Sequence, residues 1–239
     1  MLYKFSKKMK VPISLLVLIL ITSCQSNNEY HLQGRISGEF NESWVYLVKF
    51  YAAQPQVDST EVHNGKFTFK GTIDYPELFV LHNHPDSILG FFPIFLEPGR
   101  LVVSIDPKNW SWGSQIEGGT INEEYNLACR IREQSFVKVS DELENRKINA
   151  DSIEQDEISK EIIDLMESNK EKDIEYLKSH LDSPISPFIL AKHFFGISLD
   201  EVGIILDGFS NDLHQTSIYI RLKEDYDRMR EFENQNITE

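Results

Sequence analysis

The feature that most limits the fold is a change of hydrophobic period at Gly118-Gly119. Before it, apolar residues alternate with polar ones, the pattern of strands with one buried face; after it they recur every three or four residues, the pattern of amphipathic helices. Tyr30, Leu32, Gly34 and Ile36 alternate with His31, Gln33 and Arg35. Further strands are expected at Trp44 to Tyr51, Gln56 to Val62, Lys66 to Ile73, Glu77 to Asn83, Phe91 to Glu97 and Arg100 to Asp106. Asn64-Gly65 lies between two such runs and signals a type I′ hairpin, whose two central residues both need positive φ. Pro98-Gly99 marks a second tight turn. About seven or eight strands with no helix between them imply an antiparallel β-sandwich or open barrel over residues 30–119.

Beyond Thr120, the positions Ile121, Tyr125, Ala128, Phe136 and Val139 have helical spacing. A charged stretch from Ser140 to Ser183 carries a thin apolar stripe of Ile158, Ile162, Leu165, Ile174, Leu177 and Leu181. Pro184 and Pro187 are expected to end that helix and start the next. Ser198 with Glu201 resembles a capping box, and Ile218, Leu222, Tyr226 and Met229 form a last stripe. The fold class is therefore α+β: an N-terminal antiparallel sandwich, then an α-helical region over residues 120–239.

Charge narrows the function. The chain has 24 Lys and Arg against 38 Asp and Glu, a net −14. Residues 30–119 carry 6 cations and 10 anions, residues 120–239 carry 14 and 27, so the acidity belongs to the helices. Such a surface repels a nucleic-acid backbone, which is bound by releasing counterions onto Lys and Arg. The acidic faces read first as solvated, solubilising surface, with an interaction patch as the alternative. The 2 cysteines allow no disulfide framework and no zinc ribbon, and there is no Cys-x-x-Cys.

Residues 1–23 read as a signal peptide. Lys4, Lys7, Lys8 and Lys10 form a basic segment, followed by an apolar core from Val11 to Ile21. That core is about 16 Å long as a helix, roughly half a bilayer's hydrocarbon thickness. It ends in Ile21-Thr22-Ser23-Cys24, which resembles the lipobox of bacterial lipoproteins. The resemblance implies cleavage before Cys24, lipid on its sulfur and acylation of the new amino terminus, with residues 24–29 as a tether. Several acyl chains anchor a protein almost permanently, whereas one binds only marginally. Residues Gln25 to Asn28 carry no charge; the expected location is the cell envelope, at the outer membrane facing the periplasm. Without the leader's four lysines, 20 cations face 38 anions, a net −18.

Three strings carry a second resemblance: Val62-His63-Asn64-Gly65-Lys66-Phe67-Thr68-Phe69-Lys70-Gly71, Phe95-Leu96-Glu97-Pro98-Gly99 and Ile116-Glu117-Gly118-Gly119-Thr120-Ile121-Asn122-Glu123-Glu124-Tyr125. With Asp58-Ser59-Thr60 before them, they resemble the domain of unknown function 4369 of Bacteroidota lipoproteins. Tyr176-Leu177-Lys178-Ser179-His180, Ser183-Pro184 and Ser186-Pro187 resemble its helical continuation. The family implies a thioredoxin-like domain after this region, of the peroxiredoxin or thiol–disulfide oxidoreductase kind. The sequence stops at Glu239, about where that domain is expected, and has no Trp-Cys-x-x-Cys. Redox activity is therefore not carried over: that chemistry needs a low-pKa thiolate beside a resolving cysteine.

Each candidate site has a plain structural alternative. Cys129, the thiol left once Cys24 is lipidated, is expected to be a small buried hydrophobe; a mixed disulfide with a partner is the alternative. His82 and His84 share a strand face, and His63, Asp58 or Asp86 would have to join them to hold a metal; exposed polar residues at a strand end are the simpler account. Phe91 to Leu96 reads as core, with Pro93 marking an edge or bulge open to a partner strand as the alternative. Trp110 and Trp112 would suit a sugar-stacking platform, but no acidic pair can be placed beside them. No catalytic motif is recognisable. The expectation is a non-enzymatic binding or scaffolding lipoprotein with no cofactor, metal or catalytic residue and lipidation at Cys24. Its alternative is an accessory partner of a separately encoded thioredoxin-like lipoprotein.

Overall fold

The computed structural model describes residues 28–52, 56–84 and 91–236. The leader, Cys24, most of the tether and Asp86 lie outside them. Among the described residues eight strands run in chain order. They are β1 (Glu29–Ile36), β2 (Trp44–Lys49), β3 (Val57–Glu61), β4 (Lys66–Thr72), β5 (Glu77–His82), β6 (Phe91–Leu96), β7 (Gly99–Ile105) and β8 (Gln115–Glu117). They form two four-stranded sheets, ordered β4-β1-β7-β8 and β3-β2-β5-β6. The inward faces interdigitate around Leu32, Leu47, Phe67, Ile94, Leu101 and Val103. Gly34 is part of that packing, because a Cβ there would lie 1.9 Å from Phe67 Cζ.

Three features differ from the expected sandwich. First, β1 pairs with β7 in parallel, Leu32 opposite Leu101, while every other ladder is antiparallel. The Pro98-Gly99 corner, with Gly99 at φ 117°, passes the chain from β6 in one sheet to β7 in the other. Second, Asn64 and Gly65 do take positive φ, 51° and 69°, but their turn joins two sheets. His63 and Lys66 exchange two bonds of 2.9 and 3.0 Å, after which Val62 N–H goes to Ser43 O and Ile36 N–H to Gly65 O. Third, a one-turn helix, α1 (Trp110–Gly113), stands between β7 and β8.

The helical region begins with a long hairpin. Helix α2 (Thr120–Arg132) runs through a π-helical turn (Glu133–Val137) into α3 (Lys138–Ile148), with right-handed helical dihedrals at both joins. The chain reverses at residues 149–151, so the charged stretch is two helices. Asp151 caps the second by accepting from Ile153 N–H and Glu154 N–H, both at 3.0 Å. That helix, α4 (Ser152–Ser179), has 28 residues and is about 42 Å long. It ends before Pro184, at His180. Helices α5 (Ser186–His193), α6 (Leu199–Gly208) and α7 (Ser217–Asn236) gather around Leu177, Leu190, Val202, Leu206, Ile218 and Leu222. Ser198 caps α6 through Glu201 N–H at 3.2 Å, as expected.

Helix α2 closes one open side of the sandwich. Asn122, fully buried, accepts from Phe95 N–H at 3.0 Å and donates to Phe95 O at 2.7 Å. One turn later, Asn126 donates to Ile116 O at 2.9 Å. The two amides thus cover the free edges of β6 and β8, one in each sheet. Buried Glu97 accepts from the first N–H groups of α2, Thr120 and Ile121 at 3.0 Å each. Buried Glu77 does the same for Ser217 N–H at the start of α7 (3.1 Å) and takes Lys49 Nζ at 2.9 Å. A negative carboxylate at a helix N-terminus satisfies orphan donors and complements the helix dipole.

Candidate functional site: the helical hairpin and its base

At the base of the hairpin, α2, α4 and α5 bring a polar cluster together. Glu124 accepts from Tyr176 Oη, a short contact, and from Ser183 Oγ at 2.8 Å. The Tyr176 ring stacks on His180 at 4.2 Å. Burial, then the hydrogen bond and charge of Glu124, raise the Tyr176 hydroxyl well above the usual tyrosine pKa. Nearby, Asp173 accepts from Lys192 and from His193 Nε2 at 2.8 Å. Burial alone raises its carboxyl pKa, but the bonds from His193 and Lys192 outweigh it and the net shift is downward.

Cys129 is exposed, not the buried hydrophobe the sequence suggests. It lies one turn after Tyr125, whose ring is packed between Phe95 (5.4 Å) and Phe188 (5.9 Å). Partial desolvation against its neighbours still raises the thiol pKa, more than a bond with Tyr125 and the charges of Arg132 and Lys192 lower it. Tyr176 and Cys129 are thus held protonated and Asp173 ionised.

The other sequence candidates do not converge. His82 ends β5 beside Phe91 at 5.9 Å, and burial lowers its pKa. His84 is exposed in the bend that follows. His63 pairs with Glu61 at 3.4 Å in the β3–β4 turn, and Asp58 faces solvent on β3, bonded to Ser59 N–H. Among the described residues no three His, Cys, Asp or Glu side chains come close enough to hold a metal ion. Trp110 is buried and packs 6.2 Å from Phe40, so it plugs the sandwich end and offers no stacking platform.

The run Phe91 to Leu96 is core, with Phe92, Ile94, Phe95 and Leu96 buried. It is also an edge strand, but a closed one. The backbone groups that point away from β5 belong to Phe91, Pro93 and Phe95. Ser111 Oγ donates to Phe91 O at 2.8 Å, Pro93 has no N–H, and Asn122 takes both groups of Phe95. Strand addition by a partner at this edge is therefore disfavoured.

What the sequence stripe concealed is that α4 has two apolar faces. Ile158, fully buried, and Leu165 face α3, whose Val139 and Leu143 lie across a shared cleft. The second face comprises Ile163, Met166, Lys170, Ile174 and Leu177, spaced by three or four residues. Ile174 and Leu177 are buried, whereas Ile163 and Met166, two to four turns earlier, are 58% and 54% exposed. Ile148 and Ile153 at the hairpin tip are also exposed. The signal for this second face was present in the spacing, but reading Ile174 and Leu177 as part of the first stripe hid it.

Comparison with known proteins gives one family. Residues 30–125 match the model of a family described as "Domain of unknown function (DUF4369)". The match runs past the last strand to Tyr125 and so includes Glu97 and Asn122, which seal α2 to the sandwich. No curated protein and no solved structure matches the chain.

Proposed function

With its DUF4369 domain as the premise, we propose that this protein is a binding or scaffolding lipoprotein of the cell envelope, held by lipid at Cys24. The single observation that carries the binding role is the hairpin: a pair of helices about 40 Å long whose distal half leaves apolar side chains in solvent. Contiguous exposed apolar surface is a feature of interaction sites in soluble domains. The lipobox-like Ile21-Thr22-Ser23-Cys24 supports the anchor, and the uncharged Gln25 to Asn28 support the outer membrane's periplasmic face. Among the described residues no helix is long and apolar enough to cross a membrane.

The test is site-specific photo-cross-linking in cells at Leu127, Ile148 and Met166, with Cys24→Ala as the anchoring control. A reproducible partner from a hairpin position, and release of the Cys24→Ala chain from membranes, are expected. Turnover of thiol, peroxide or glycan substrates by the purified protein would overturn the non-enzymatic reading.

The exposure of Cys129 favours a second reading, an accessory to a separately encoded thioredoxin-like lipoprotein through a mixed disulfide. In that step the Cys129 thiolate attacks a partner disulfide and releases one partner thiolate; its raised pKa slows the attack. An unchanged capture profile for Cys129→Ser, with no thioredoxin-fold protein in it, disposes of this reading.

A further inference from the structure

We propose that Ile163, Met166 and Phe195 are the seat for a basic amphipathic helix of a partner protein; this rests on the binding-protein reading above and names the chemistry of its partner. Three observations converge. The first is that this face of α4 is a packing surface whose cover stops early. Its lower part is buried at Ile174 and Leu177, the latter in the core shared with α5 and α6, while Ile163 and Met166 continue the same stripe more than half exposed. A helix laid along them would extend a layer the protein already builds, through anchors at helical spacing.

The second is Phe195, 85% exposed in the turn after α5. That turn lies on α4: a Cβ at Gly196 would be 3.7 Å from Lys170 Cδ, and Lys170 is one turn from Met166. The turn that carries this exposed ring thus reaches α4 one turn beyond Met166, and we assign the ring to the inner boundary of the seat. An aromatic ring, a flexible thioether and a branched aliphatic chain are side chains that suit an adaptable apolar anchor site.

The third is charge, which selects the occupant. Along the solvent side of the stripe α4 carries Asp156, Glu157, Asp164, Glu167 and Glu171, with Lys160 among them. Glu167 pairs with Lys170; the other four carboxylates have no ion pair among the described residues. An incoming helix with an apolar face and a Lys or Arg flank meets both the stripe and this row, whereas an acidic helix or an anionic membrane is repelled. The same argument disfavours a second copy of this chain, whose corresponding helix presents the same acids.

The test uses the full chain in detergent and two synthetic helical peptides about five turns long. They share one leucine face and differ in a lysine or a glutamate polar face. Titration followed by fluorescence anisotropy should show saturable binding of the lysine peptide alone. The double variant Ile163→Ser/Met166→Ser should weaken it about tenfold, a typical loss at an apolar anchor. Asp164→Asn/Glu171→Gln should weaken it less and flatten its salt dependence. Ile148→Ser/Ile153→Ser at the tip should leave it unchanged. The proposal is overturned by equal binding of the glutamate peptide, by no saturable binding of the lysine peptide, or by indifference to Ile163→Ser/Met166→Ser. Cellular capture from Ile148 or Leu127 but not from Met166 would overturn this seat and keep the binding-protein reading. Capture from none of them would remove both.

Discussion

The sandwich and the hairpin treat unsatisfied surface in opposite ways. At the sandwich side where β6 and β8 end their sheets, two asparagines one helical turn apart and a serine bond outward backbone groups, and Pro93 removes one donor. On the opposite side, β4 carries exposed Lys66 and Lys70, charges that discourage edge pairing. The hairpin has comparable means available and leaves Ile163, Met166, Ile148 and Ile153 in solvent. The contrast between guarded strand edges and an aliphatic stripe left open on a helix is what the proposed recognition surface rests on. The DUF4369 match ends at Tyr125, just after the seal, so the matched unit is the closed part and the open part is largely beyond it.

The strongest way to break this comparison is to unseal the sandwich. Asn122→Ala removes the partner of a buried N–H and a buried C=O at once and should cost about 3 kcal/mol, read as a lower denaturant midpoint. Asn126→Ala, which frees one carbonyl, should cost about 1 kcal/mol. If Asn122→Ala proves nearly neutral, the seal is incidental. If the variant also self-associates, the exposed β6 edge is the hazard inferred here.

Next in size is the hairpin's own core. Ile158→Ala should cost about 2 kcal/mol, towards the low end for a buried aliphatic truncation, because a two-helix layer can collapse around the gap. Its effect should be regional. Amide exchange should speed up in α3 and the first half of α4 while the sandwich keeps its protection. Uniform acceleration would mean that hairpin and sandwich form one cooperative unit.

A smaller effect separates the hairpin's fixed base from its free half. Asp173 has a depressed pKa, so its contribution is present above the ordinary carboxyl pKa of 3.8 and is lost as pH falls through the folded value. Asp173→Asn should cost about 1 kcal/mol at pH 7. The gap between variant and parent should close in acid titrations taken well below pH 3.8. A gap that persists there would show that the site is held by shape alone.

Much of this organisation was legible in the sequence, for identifiable reasons. Alternation and turn signals together placed all seven main strands, and the capping residue Ser198 announced the start of α6, because these are local effects of backbone geometry. The parallel β1–β7 pair was not legible, since it depends on which sheet the chain enters after Gly99 and no local residue encodes that. Nor was the crossing at Asn64-Gly65: the dipeptide specifies a turn, and neighbours 19 and 29 residues away decide whether its arms pair or part. Asn122 and Glu97 gave no signal beyond belonging to the resembling strings, because their roles arise only when α2 meets β6. Cys129 was misplaced for a related reason. Helical spacing shows which face it shares with Tyr125, but not how far other elements cover that face.

The smallest expected effect is the sharpest check on the contrast. If Ile163 and Met166 are unpartnered in the free protein, replacing them with serine deletes no packing and should change stability by no more than about 0.5 kcal/mol each. Ile163→Glu should be similarly neutral, since glutamate has the better helix propensity but adds one more anion to an acidic face. A buried aliphatic at those positions would instead cost about 2 kcal/mol or more. Thermal unfolding of Ile163→Ser beside Ile174→Ser, two positions on one helical stripe, places both cases in a single measurement. Near-neutrality at Ile163 with a large loss at Ile174 locates the end of the covered layer between them. Equal losses would mean that the stripe is covered in solution along its whole length, and the open half of the hairpin would no longer be open.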